Sequence, residues 1–154
     1  RCAKTGDEEK YPLPHRKLLG NPLDMSFSGL KTAALNLIHM HEQKGESVDV
    51  PSLCASFSKA VSEMLVPRTM QAVKESGYRK LAIAGGVAAN SRIRADFKTA
   101  CEKLGATLYT PPLSLCGDNG AMIGSQGYYE FLAGTRAGQN LNAFATRSIE
   151  QSYE

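Results

Sequence analysis

Two short segments of this chain carry residue types that could do chemistry. In the first, the apolar run Leu81-Ala82-Ile83-Ala84 leads into Gly85-Gly86-Val87-Ala88-Ala89-Asn90. In the second, Cys116-Gly117-Asp118-Asn119-Gly120-Ala121-Met122-Ile123 sets an aspartate between a glycine and a helix start. A strand, a glycine turn and a helix start together bring free backbone N–H groups and the positive end of a helix dipole to one edge of a parallel sheet. Phosphates are commonly bound there. Asn90 can cap the helix or hydrogen-bond a ribose or amide, and Asp118 offers one carboxylate to a metal. By spacing alone the structural alternative stands beside each: a tight strand–helix connection with Asn90 as its cap, and an aspartate at a helix N-cap.

Other candidates are weaker. His39 and His41 stand two apart, so on a helix they point to nearly opposite sides and cannot both grip one ion. His15 lies in a polar, proline-rich stretch, and all three histidines read as surface or interface residues. No HExxH motif is present. Ser26-Phe27-Ser28-Gly29-Leu30-Lys31-Thr32 is hydroxyl-rich and could meet a phosphate, or could be capping with a solvated lysine. Arg68, Lys74, Arg79, Lys80, Arg92 and Arg94 could make a basic face for RNA, although interspersed acids suit a solvated surface equally well. The four cysteines have no CxxC pair, which argues against a zinc knuckle or a disulfide framework and for a reducing, cytoplasmic setting.

The elements that must position these residues follow from periodicity. Residues 1–22 read as an extended lead-in, and Asp24-Met25-Ser26-Phe27 as a short strand. Ser28-Gly29 should cap a helix with Leu30, Ala33, Ala34, Leu37 and Ile38 inward. Pro51-Ser52 opens a second helix, which Pro67 should kink or interrupt before a stop at Gly77. Strand 81–84, a helix from Ser91 to Leu104 stopped by Gly105, strand 107–110 and a helix from Asn119 to Leu132 complete the order. The tail, 135–154, shows no strong period. At 154 residues and net charge +3, one α/β domain with parallel neighbouring strands is expected, with no membrane span. Two central strands make a thin sheet, and the chain starts at Arg1 without Met, so a piece of a longer protein is expected.

Taken in order, Leu23-Asp24-Met25-Ser26-Phe27-Ser28-Gly29-Leu30-Lys31-Thr32-Ala33, Ala84-Gly85-Gly86-Val87-Ala88-Ala89-Asn90-Ser91-Arg92 and Cys116-Gly117-Asp118-Asn119-Gly120-Ala121-Met122-Ile123 resemble the C-terminal half of the TsaD/Gcp family. Those proteins are tRNA threonylcarbamoyladenosine transferases, once named O-sialoglycoprotein endopeptidases. The resemblance covers roughly residues 10–133, and its Ser-Gly-Leu-Lys-Thr form is nearer to bacterial and organellar members.

The resemblance implies an actin-like ASKHA (ribonuclease H-like) domain, here an incomplete sheet flanked by helices, over residues 23–134. It implies transfer of threonylcarbamoyl from threonylcarbamoyl-AMP to N6 of adenine 37 in tRNAs that read ANN codons. Partners would be tRNA and the bacterial TsaB and TsaE-type proteins. One iron or zinc ion would be held by two histidines of an HxxxH motif and by a later aspartate, which corresponds to Asp118. The nucleotide-contacting asparagine corresponds to Asn90, with Gly85 and Gly86 in the adjoining turn. HxxxH is absent, as are the early Ser-Gly-Gly phosphate loop and the first strands of the second domain. The chain is therefore expected to be a fragment with part of the site, inactive alone, and prone to self-association through an open sheet edge. An actin-like ATP-binding or sugar-kinase-type domain and a metallopeptidase are the alternatives.

Overall fold

The computed structural model describes residues 2–14, 21–139, 141–143 and 145. The chain divides into two compact units, Arg1–Gly117 and Asp118–Glu154.

In the first unit, helix α1 (Ser28–Gln43) and helix α2 (Val50–Ser76) precede strand β1 (Lys80–Ala82). Helix α3 (Ser91–Leu104) then crosses to strand β2 (Thr107–Tyr109). The strands pair in parallel with Lys80 opposite Thr107, Leu81 opposite Leu108 and Ala82 opposite Tyr109. The fold is mixed α/β, as the alternation of apolar runs and helical faces predicts. Helix α3 buries Ile93, Phe97 and Cys101, which recur at helical spacing, and it packs on α2 and β2. Fully burying a side chain the size of Phe97 contributes roughly 1.5–3 kcal/mol. A second cluster joins Leu13, Leu30, Ala60 and Met64, with Ala33, Ala34, Phe57 and Val61 packed against it.

Three local expectations are corrected. Residues 24–27 form no strand, and the chain passes directly into α1. The N-cap of α1 is Phe27, which makes no side-chain capping bond, and Ser28 is already helical. Pro67 does not interrupt α2, which runs unbroken past it. A proline ring pushes against the preceding turn, and there the Arg68 guanidinium donates to the Met64 carbonyl at 3.1 Å. Packing of α2 against α1 and α3 outweighs the bond the proline removes and keeps the helix continuous. The ends of α2 are conventional: Asp49 accepts from the Ser52 amide, and Gly77 stops the helix at φ +73°.

Residues 2–14 lie against α2, with Tyr11 and Leu13 buried. Two buried serines one turn apart on α2 hold this segment's backbone. The Asp7 amide donates to Ser52 Oγ at 3.0 Å, and the Tyr11 amide donates to Ser56 Oγ at 3.3 Å. The Asp49 amide in turn donates to the Tyr11 hydroxyl at 3.1 Å. Arg92 pairs with Glu8 and, at 2.6 Å, with Asp96, whose carboxylate also accepts from Ser62 Oγ at 2.6 Å. One polar chain therefore ties residues 2–14 to α2 and α3.

The second unit contains helix α4 (Gly120–Leu132), none of whose residues is buried. Most of the tail, 135–154, falls outside the described residues, as does His15. Among the described residues, no helix is long and apolar enough to cross a membrane.

Candidate functional site

The turn after β1 is built by three local devices. Gly85 takes φ +81° and ψ 177°, a conformation L side chains rarely adopt. Residues Gly86–Ala89 then wind one 3-10 turn, closed by bonds of 3.0 Å from the Ala88 amide to the Gly85 carbonyl and from the Asn90 amide to the Val87 carbonyl. Asn90 caps α3, its Oδ1 accepting from the Arg92 amide at 2.9 Å and the Ile93 amide at 3.3 Å. The expected turn is present, and Gly85, Gly86 and Asn90 lie together on it. The strand itself is shorter than expected, Lys80–Ala82, although the Ile83 amide still reaches the Tyr109 carbonyl at 3.0 Å.

Two features of this turn leave room for a ligand. Gly86 has no unusual φ, and nothing lies within 4 Å of the position a Cβ would take there, so packing does not demand glycine. Asn90 uses only its carbonyl oxygen in the cap; its Nδ2 amino group makes no hydrogen bond among the described residues.

Asp118 belongs to the second unit. It is exposed and makes no hydrogen bond or ion pair among the described residues. It is not the helix cap: Asn119 is, with Oδ1 accepting from the Met122 amide at 3.0 Å. The carboxylate is thus not engaged by its own helix. Among the described residues, no group of three or more His, Cys, Asp or Glu side chains could hold a metal ion. Asp118 fits a single ligand position, and these residues do not complete a metal site.

The remaining candidates resolve differently. His39 is exposed, as expected, but His41 is half-buried. His41 packs edge-on to Tyr11 with ring centroids 5.8 Å apart. Its Nδ1 lies 3.0 Å from Glu46 Oε2 without hydrogen-bond geometry. Several of the basic residues that could make an RNA face bond to groups of this chain. Arg79 donates to the Leu104 carbonyl at 3.2 Å, and Arg68 and Arg92 are held as described above. Two cavities open on the first unit: one of about 320 Å³ is lined by Arg94 and Lys98 of α3 and by Leu108 of β2, and one of about 530 Å³ by Ser26, Ser28 and Thr32 of the hydroxyl-rich segment together with Asn36.

Arg94 was legible in the sequence only as one basic residue among several. Its guanidinium donates from Nε to the Ala88 carbonyl, and from one terminal nitrogen to the Pro111 carbonyl at 2.7 Å and Cys116 Sγ at 3.1 Å. The available signal was its position. A cation in the first turn of a helix opposes the dipole and needs specific partners to hold it there.

The sequence model described as "TsaD: tRNA N6-adenosine threonylcarbamoyltransferase" matches residues 1–125. The chain belongs to this tRNA N6-adenosine threonylcarbamoyltransferase family. Curated relatives carrying that name agree. One from Clostridium botulinum strain 657 is 41% identical over 143 residues, covering 93% of this chain and 42% of the relative. One from Staphylococcus saprophyticus is 43% identical over 144 residues, covering 94% and 42%. One from Clostridioides difficile strain 630 is 40% identical over 149 residues, covering 97% and 44%. The chain therefore spans about two fifths of the length of these threonylcarbamoyltransferases. The turn around Gly85, Gly86 and Asn90 and the aspartate at position 118 both fall inside the family match.

Proposed function

We propose that this chain is the C-terminal part of a transferase that moves threonylcarbamoyl from threonylcarbamoyl-AMP to N6 of adenine 37 in tRNAs that read ANN codons. The new bond to N6 replaces the bond from the carbamoyl carbon to phosphate, and AMP leaves. The turn from Gly85 to Asn90 receives the nucleotide end of threonylcarbamoyl-AMP. Open space at Gly86 lets the ligand approach the backbone, and Asn90 donates from Nδ2 while its Oδ1 stays locked in the cap. That division of labour within Asn90 is the observation that carries the reading.

Asp118 contributes one carboxylate to an iron or zinc ion whose other ligands are not among the described residues. A bound ion of this kind supplies Lewis-acid character. The whole protein would have the two-domain ASKHA architecture, act in the cytoplasm and work with TsaB and TsaE-type partners. The family names, which specify a tRNA adenosine as acceptor, support the substrate class.

The test uses the full-length protein that carries this chain, with its partner proteins, tRNA, ATP, threonine and bicarbonate. Modified adenosine should form. Asn90→Ala should weaken use of threonylcarbamoyl-AMP at least tenfold, and Asp118→Ala should abolish product together with the bound metal. Full activity in Asp118→Ala would sink the metal assignment, and a parent that makes no modified adenosine would sink the reading as a whole.

A further inference from the structure

We propose that Arg94 is a positioning residue for the nucleotide-side turn, clamping it to the loop that leaves β2. This rests on the functional reading given above. The guanidinium stands between two backbone segments that leave the paired strands β1 and β2. On one side it holds the carbonyl of Ala88, which is 3% exposed and anchors the 3-10 turn between Gly85 and Asn90. On the other it holds the Pro111 carbonyl at 2.7 Å and Cys116 Sγ at 3.1 Å. The Cys116 thiol is 4% exposed and itself donates to the Pro112 carbonyl at 3.6 Å, so the loop is closed on both ends of the sulfur. All of the partners seen for Arg94 are neutral, which makes these charge-assisted hydrogen bonds without a neutralising carboxylate.

The geometry requires arginine. A planar fork can reach a carbonyl behind it from Nε and two acceptors in front from a terminal nitrogen. A lysine ammonium is a single point at the end of a flexible stem and cannot span both segments. Residue 94 also opposes the α3 dipole, so its placement carries a cost that the two-sided clamp offsets. Holding the turn fixes where Asn90 Nδ2 sits. A contact to the nucleotide portion is present equally before and during transfer, so loosening it weakens binding without changing the rate of the bound complex.

The experiment is Arg94→Lys in the full-length protein, which keeps the charge and removes the fork; Arg94→Ala serves as the severe variant. The KM for threonylcarbamoyl-AMP should rise about tenfold with kcat within twofold. Under native conditions Cys116 should alkylate at least tenfold faster, while Cys101, 1% exposed on the same α3, stays protected. A fall in kcat at unchanged KM is what a smaller folded fraction would give, and it would overturn the proposal. So would Cys116 and Cys101 becoming reactive together, or Cys116 staying protected in both variants. A parent that forms no modified adenosine would sink the functional reading and leave the clamp to stand or fall on the thiol measurement.

Discussion

Gly6 lies directly over Pro51, so that a Cβ on Gly6 would overlap the Pro51 carbonyl carbon and oxygen. This close approach seats residues 2–14 on the first turn of α2, where Asp7 and Tyr11 find the hydroxyls of Ser52 and Ser56. Backbone cannot yield as a flexible side chain would, so the added methyl must lift the segment. Gly6→Ala should destabilise the fold by about 1–3 kcal/mol in urea unfolding. It should also speed trypsin cleavage after Lys10. An unchanged midpoint would show that the segment does not press on α2.

Asp49 joins the same seam and gives it a pH dependence. The Lys10 ammonium, 2.8 Å away, is the largest influence, followed by the Ser52 hydroxyl and amide; together they hold the Asp49 carboxyl at about 2, below its ordinary 3.8. Between those values the unfolded chain binds the proton and the folded chain does not. The contribution is therefore fully present above roughly pH 4 and is lost as pH falls through the folded value. The stability difference between the parent and Asp49→Asn should stay constant from neutral pH down to about 4 and shrink below it. A difference that stays flat to pH 2 would exclude this pair as the cause.

Helix α4 leaves every large apolar side chain exposed, including Ile123 at 76% and Leu132 at 61%. A helix that carries this many large apolar side chains is ordinarily covered by another element. The 154-residue chain should therefore self-associate, with sedimentation coefficients that rise with concentration. Ile123→Glu together with Leu132→Glu should suppress that rise. Concentration-independent sedimentation of the parent chain would refute the expectation.

Much of the candidate site was readable along the chain because its causes are local. Gly85 needs a positive φ, Asn90 caps the helix that follows it, and Gly77 and Gly105 stop helices in the left-handed region. The inward face of α3 was readable for the same reason, since Ile93, Phe97 and Cys101 recur at helical spacing. The expectations that failed depended on partners distant in sequence or on competition between neighbours. Residues 24–27 alternate like a strand but pair with none, and Pro67 stays helical inside a packed helix. The cap expected of Ser28-Gly29 falls on Phe27, which makes no side-chain capping bond.

By itself, then, the sequence determined the four helices, the two paired strands, the glycine turn, the Asn90 cap and the family, because each rests on residues close together in the chain. Only the tertiary structure decided what the charged and hydroxyl side chains do. Arg94 meets Cys116, 22 residues further along the chain, and Arg92 meets Glu8, 84 residues back. A guanidinium in a list of residues looks like a surface cation. Whether it faces water, an RNA phosphate or two backbone carbonyls depends on which segments the fold brings within 3 Å, and hydrogen bonding is too short-ranged to be read from sequence separation.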